Sequence, residues 1–188
     1  MNLRMASFLL AAYATLAGFP AQAAISVIGS GPAQLCYQAA DTGASPLDYM
    51  FYCDQALAGS LSASDRAATF VNRGVLKLNM KALDSASQDF NAGLAINDQL
   101  GEAYVDLGAV LIAKRRYAEA IPLITKGLKL GTKQPENAYY DRAVAYEAVG
   151  NIQSAYEDYR QAVALKPTFT RAADELKRFR IVDKPTGA

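Results

Sequence analysis

The chain has 188 residues, 52% of them hydrophobic and 20% charged, with 19 basic and 18 acidic side chains and no histidine. That balance leaves no basic surplus for a nucleic-acid surface or for polybasic adhesion to a membrane. The missing histidine removes the commonest general base and a frequent metal ligand, so no catalytic residues, metal or small-molecule cofactor are expected.

Residues 1–23 read as an export leader. Arg4 gives a short positive start, residues 5–18 form an uncharged apolar run, and Ala21, Gln22 and Ala23 have the small-x-small form that signal peptidase accepts. The run is shorter than the roughly 20 apolar residues of a bilayer-spanning helix, so cleavage is expected rather than a retained anchor. The mature chain then begins near Ala24, in the periplasm or secreted. No later stretch could span a membrane, and neither cysteine adjoins the cleavage point. Arg4 is the leader's one charged residue, so the mature chain is formally neutral.

Residues 24–66 carry both cysteines, Cys36 and Cys53. In an exported chain the first reading is a structural disulfide that steadies a terminal segment. A redox pair would more often have two residues between its cysteines, and a zinc site needs further ligands. The segment around Cys53, Ala56 and Leu57 resembles that around Phe90, Gly93 and Leu94. It is therefore expected to be the second helix of a degenerate hairpin whose first helix spans 33–40, with Ser64 capping the helix that follows.

A period of 34 residues then governs the chain. Gly74 and Gly108, Ala86 and Ala120, Phe90 and Ile124, and Gly93 and Gly127 each stand 34 apart. A third copy, with Ala143, Ala155, Tyr159 and Ala162 in those columns, follows at 35, the extra residue falling in the turn at 131–135. Within each copy the apolar residues keep helical spacing in two stretches, so each copy is a helix hairpin, and a stack of such hairpins is a solenoid. The small columns are expected where the two helices of a hairpin touch. Phe90, Ile124 and Tyr159 are expected to fill space toward the next hairpin. After Pro167, a helix over 171–179 with Ala172, Leu176 and Phe179 on one face is expected to close the stack, and 184–188 to fray.

These columns resemble the tetratricopeptide repeat. The last copy matches most fully, running from Ala138 through Tyr146, Ala155, Tyr159 and Ala162 to Pro167. The other two depart from the pattern, with Asp98 and Thr132 at the proline position and Lys77 and Leu111 in a usually aromatic column. The resemblance implies an all-α solenoid with repeats at 67–100, 101–135 and 136–169, an N-terminal disulfide-linked cap at 24–66 and a C-terminal capping helix and tail at 170–188.

It also implies a concave wall built from the first helix of each pair. Its columns would be Val71, Val105 and Tyr140; Val75, Ala109 and Val144; and Leu78, Ile112 and Glu147. A polar column, Asn72, Asp106 and Asp141, runs beside them, with Arg73 and Arg142 next in sequence. Such a wall suits a protein or peptide partner. The same polar residues could instead knit neighbouring repeats, and both readings stand. The family's subtype that grips a C-terminal carboxylate is not implied, because the matching positions hold Val71, Val75, Asp106, Asn137 and Asp141.

The expected function is thus an exported adaptor that binds a partner protein or peptide. Self-assembly into a homo-oligomer through exposed tyrosines is the alternative. Catalysis ranks last: no Gly-x-Ser-x-Gly turn or phosphate loop occurs, and neighbouring acids such as Glu157 and Asp158 point to different sides of a helix.

Overall fold

The 34-residue period is realised as three antiparallel helix hairpins. In the computed structural model, which describes residues 2–5, 24–27, 31–43 and 46–182, they are α3 (Ala63–Asn79) with α4 (Leu83–Ile96), α5 (Gly101–Ala113) with α6 (Tyr117–Leu130), and α7 (Pro135–Ala148) with α8 (Ile152–Leu165). Before them come α1 (Pro32–Thr42) and α2 (Pro46–Ala58), and after them α9 (Thr170–Leu176). Each hairpin packs on the next, α4 against α5 and α6 against α7, while the first helices also meet each other, α3 with α5 and α5 with α7. The architecture is the all-α solenoid expected from the sequence. Among the described residues no helix is long and apolar enough to cross a membrane.

Two features of the sequence dictate the hairpin. The first is a small residue opposite a large one. A methyl group added at Gly74 would lie 2.6 Å from the Phe90 ring, and one at Gly108 would lie 2.3 Å from Ile124. Phe90 and Ile124 therefore fill the space left by the glycine of their own hairpin, and each also shares a core cluster with the first helix of the next, Phe90 with Ala103 and Leu107 and Ile124 with Ala138 and Ala145. Tyr159 reaches onward too, its ring standing 5.9 Å from that of Phe179. The second feature is the turn. Lys81, Arg115 and Gly150, one per hairpin, take positive φ of 59°, 61° and 81°. The residue after each donates its amide back to Lys77, Leu111 and Tyr146 at 2.8–2.9 Å, closing the end of the first helix.

Polar clasps link the two helices of the first and third hairpins. Arg73 reaches Asp89 with two hydrogen bonds of 2.8 and 2.7 Å, and Arg142 reaches Asp158 with two of 2.7 and 2.9 Å. Each arginine also spends a third donor on the preceding element, Arg73 on Asp54 of α2 at 2.7 Å and Arg142 on Thr125 of α6 at 3.0 Å. In the middle hairpin the corresponding positions are Leu107 and Leu123. The knitting expected of this region is thus carried by the arginines. The shared reach to Asp54 and Thr125 makes α2 the counterpart of a second repeat helix.

At the N-terminal end α1 packs on both α2 and α3, and a disulfide between Cys36 and Cys53 joins α1 to α2 with Cα atoms 4.9 Å apart. Ser62, rather than Ser64, caps α3: its hydroxyl accepts from the Asp65 amide at 3.0 Å and donates to the Asp65 carboxylate at 2.7 Å. Arg66 satisfies the end of α2 by donating to the carbonyls of Leu57 and Gly59, both at 2.8 Å. At the other end the capping helix is shorter than expected. It stops at Leu176, and Phe179 opens a strand, β2 (Phe179–Val182), that pairs antiparallel with β1 (Asn2–Met5). Phe179 still seals the third hairpin, 5.6 Å from the Tyr156 ring. The leader's apolar run, its cleavage triplet Ala21 to Ala23 and the tail at 184–188 lie outside the described residues.

Candidate partner-binding groove

The residues expected on the concave wall come together, but they are largely covered. Val71, Val75, Leu78, Val105, Ala109 and Ile112 are buried, and Tyr140, Val144 and Glu147 keep partial exposure. Part of the cause is local packing. The Val71 and Val105 methyls are among the atoms nearest a side chain built on Gly93 or Gly127, so both valines face the second helix of their own hairpin. The other cause is a segment of the chain itself. Residues 24–27 lie against the wall outside any helix or strand, and Ala24 is buried in the same cluster as Val71, Val75 and Ala109.

Asn72 holds this segment. Its side-chain oxygen accepts from the Ile25 amide at 2.8 Å and its side-chain nitrogen donates to the Ile25 carbonyl at 2.8 Å. A primary amide offers one acceptor and two donors, which matches the two hydrogen-bonding groups of an extended residue. Lys133, in the turn before α7, donates to the Ala24 carbonyl at 3.3 Å. Asn72 therefore grips main chain rather than linking repeats. Nothing in the 34-residue pattern pointed to Ile25, which lies 47 residues away in a segment outside the repeats.

The next residues of the polar column are acids. Asp106 is fully buried, and neither carboxylate oxygen has a hydrogen-bond partner. Burial pushes its carboxyl well above the usual range, and the neighbouring Asp141 and Glu102 push it further. Asp141 is buried too, and burial raises its carboxyl to about 7 against the opposing pull of Arg171. Arg171, from the start of α9, lies over the ring of Tyr140, 5.0 Å from its centre. The column thus changes character along the groove, from an amide that grips backbone at Asn72 to an acid pair beside a cation.

A separate cavity of about 570 Å³ opens between α4, α5 and α6, lined among others by Leu94, Tyr104, Leu107, Leu111 and Lys114. None of the wall residues named above lines it. Among the described residues no group of three or more Cys, Asp or Glu side chains is placed to hold a metal ion.

Comparison with known proteins agrees with this fold. Residues 136–169, the third hairpin, match the tetratricopeptide repeat family. No curated protein matches the chain by sequence. Among solved structures the fold is similar to that of MamA from Desulfovibrio magneticus RS-1, with a TM-score of 0.62 and 19% identity over 80% of this chain and 84% of that one. It is also similar to the tetratricopeptide domain of Arabidopsis OM64, with a TM-score of 0.59 and 20% identity over 62% and 96%. The first such domain of Spaghetti (RPAP3), solved with the HSP90 peptide SRMEEVD, gives a TM-score of 0.57 and 19% identity over 61% and 90%. At these identities the likeness is one of fold.

Proposed function

We propose that this tetratricopeptide-repeat chain is an exported adaptor, periplasmic or secreted, that holds an extended segment of a partner protein along the wall of α3, α5 and α7. The observation that carries the reading is the paired hydrogen bonding of Asn72 to Ile25. Recognition through main-chain groups is indifferent to the bound side chains, so a groove that accepts Ile25 can accept another extended strand in its place. The apolar wall and the acids Asp106 and Asp141 favour an apolar, neutral or basic segment over an acidic one. A partner entering along this path displaces residues 24–27, which lowers its apparent affinity by the fraction of chains with the groove open. Export with cleavage after Ala23 also removes β1 and leaves β2 held by Phe179 against Tyr156 and Tyr159.

Site-specific photo-crosslinking in a host that exports the chain tests this reading. The probe goes at Val144, which retains exposure, with Lys177, the exposed residue that follows α9, as control. A defined envelope or secreted protein trapped from Val144 and not from Lys177 is the expected result. Equal capture from both positions, or none from the wall, would overturn it.

A second reading, self-assembly, is favoured by Leu47 and Phe51, which lie one turn apart on α2 and are 75% and 65% exposed. Light scattering separates the two: a dimer that Phe51→Glu dissociates supports assembly through this end, and a monomer supports an adaptor for a different chain.

A further inference from the structure

The unmatched group in this groove is Asp106. Its carboxylate is enclosed, without a hydrogen-bond partner, and its charged neighbours Asp141 and Glu102 are both acids. Asp141 has Arg171 beside it, and Lys133 is turned to the Ala24 carbonyl, with its own amide donating to Glu102 at 3.3 Å. A carboxylate left in this condition is expensive to bury. What would satisfy it is a compact cation with several donors, delivered from within the groove.

The path of residues 24–27 supplies the means of delivery. Ile25 is pinned to α3 by Asn72, whereas the carbonyl one residue earlier is at Lys133, beyond α5 in the turn leading to α7. The Lys133 ammonium reaches back from that turn to the Ala24 carbonyl and also stands 5.7 Å from the centre of the Tyr37 ring in α1. Ala24 is buried in one cluster with Ala103, Ala109 and Val110, which lie one turn to either side of Asp106 on α5. Ala24 is thus the described residue of this segment that comes before Ile25, and its main-chain nitrogen is the group that cleavage after Ala23 would free beside this cluster.

We propose that Asp106 is the counter-ion of the α-ammonium of Ala24, formed when the leader is removed, so that the mature N-terminus latches into its own groove. The inference rests on the reading of residues 1–23 as a cleaved leader. The chemistry is hydrolysis of the Ala23–Ala24 peptide bond by a signal peptidase. Water adds across the bond, the Ala23 carbonyl carbon leaves as a carboxylate on the departing leader, and the Ala24 nitrogen gains the proton that makes it an ammonium. That step turns an amide with one donor into a cation with three, at a place where an acid has none. The uncut chain cannot make this pair, so cleavage completes the site. The latch also gives the groove an occupant that partners must displace, which ties partner access to a processed N-terminus.

The test uses protein produced from the full 188-residue sequence in an exporting bacterium, purified, and identified at its N-terminus by mass spectrometry. An amine-reactive acylating reagent is then applied near neutral pH, and modification of the α-amino group is followed peptide by peptide, with the lysines as internal reference. The expected result is a first residue of Ala24 that acylates at least about tenfold more slowly in the folded protein than in Asp106→Asn or in urea, with lysine rates unchanged. Its labelling profile against pH is expected to lie above the ordinary α-amino range of about 7.7–8.0. Asn72→Ala, which releases Ile25 and leaves the acid in place, provides a second variant with the same expected acceleration should Asp106→Asn fold poorly. A first residue of Ala24 that acylates as fast in the folded wild type as in urea overturns the latch and leaves the export reading standing. A first residue of Met1 overturns both, and any other first residue overturns the latch alone.

Discussion

Asn72 holds Ile25 by both of that residue's main-chain hydrogen-bonding groups, at 2.8 Å each, although 47 positions separate them in sequence. The side chain is wholly buried. Truncating it leaves an amide and a carbonyl of Ile25 without partners in a partly enclosed site, a loss of about 1–3 kcal/mol. Asn72→Ala is therefore expected to lower the urea midpoint by a corresponding amount, measured by circular dichroism. Asn72→Asp sets a carboxylate against the Ile25 carbonyl in an enclosed site, so it is expected to lose at least as much as Asn72→Ala.

The clasp between Arg142 and Asp158 predicts a contrast between single and double variants. Both side chains are mostly buried, so Asp158→Ala strands a guanidinium and is expected to cost about 3 kcal/mol. The middle hairpin shows the alternative, with Leu107 and Leu123 at the same positions. Arg142→Leu combined with Asp158→Leu is accordingly expected to recover most of that loss, short of what the bond to Thr125 contributes. Thermal unfolding of the singles and the double decides it, and simple additivity of the two losses would count against the clasp.

Two backbone positions predict changes of opposite sign. A side chain at Gly101 would meet the Gly131 carbonyl oxygen at 1.9 Å, so Gly101→Ala must force α5 away from the end of α6. A loss of at least about 2 kcal/mol is expected. Arg115 carries a φ of 61° in the turn where the third hairpin has Gly150, and a left-handed non-glycine residue is strained by roughly 1 kcal/mol. Arg115→Gly should therefore raise the melting temperature slightly, and a lower melting temperature would show that the strain is not the dominant effect there.

Acidity offers a further check. The Asp141 carboxyl holds its proton up to about pH 7 in the folded chain but only to its ordinary value of 3.8 when unfolded. The folded state thus binds more protons between these limits, and stability falls as pH rises from about 4 to about 7, then levels off. Asp106 acts in the same direction. Urea titrations across this range should show the fall, and Asp141→Asn should flatten it. In a chain that begins at Ala24 the ammonium reduces the share due to Asp106, so the fall is smaller than in a chain that keeps its leader. A rise in stability over the same range would contradict a raised Asp141 carboxyl.

The disulfide between Cys36 and Cys53 ties α1 to α2 across 17 positions. Closing a loop of this length contributes about 3 kcal/mol. Replacing both cysteines by alanine is expected to loosen the N-terminal end first, seen as faster amide exchange in α1 and α2 while α5 to α8 stay protected.

Much of this structure is legible in the sequence because it repeats. Gly74 and Gly108 announce the hairpin contact, and the extra residue in the third copy lands in the turn at Gly131, where α6 ends. What does not repeat was not legible. Ile25 belongs to no column, so its bond to Asn72 left no periodic trace. Phe179 has the spacing of a helix residue after Ala172 and Leu176, yet α9 ends before it. Its apolar pattern fits either structure, and packing against Tyr156 and Tyr159 decides between them. Asp106 looked like an ordinary member of a polar column, and only its enclosure marks it as a group that needs a cation.

The most direct test of a groove that grips main chain is the exchange rate of the Ile25 amide proton, followed by NMR in the exported protein and in Asn72→Ala. Gripping predicts protection of at least about tenfold in the wild type that disappears in the variant, while the amides of α5 and α7 exchange at the same rates in both. An Ile25 amide that exchanges in the wild type as fast as in an unfolded chain, with the repeats intact, would contradict it.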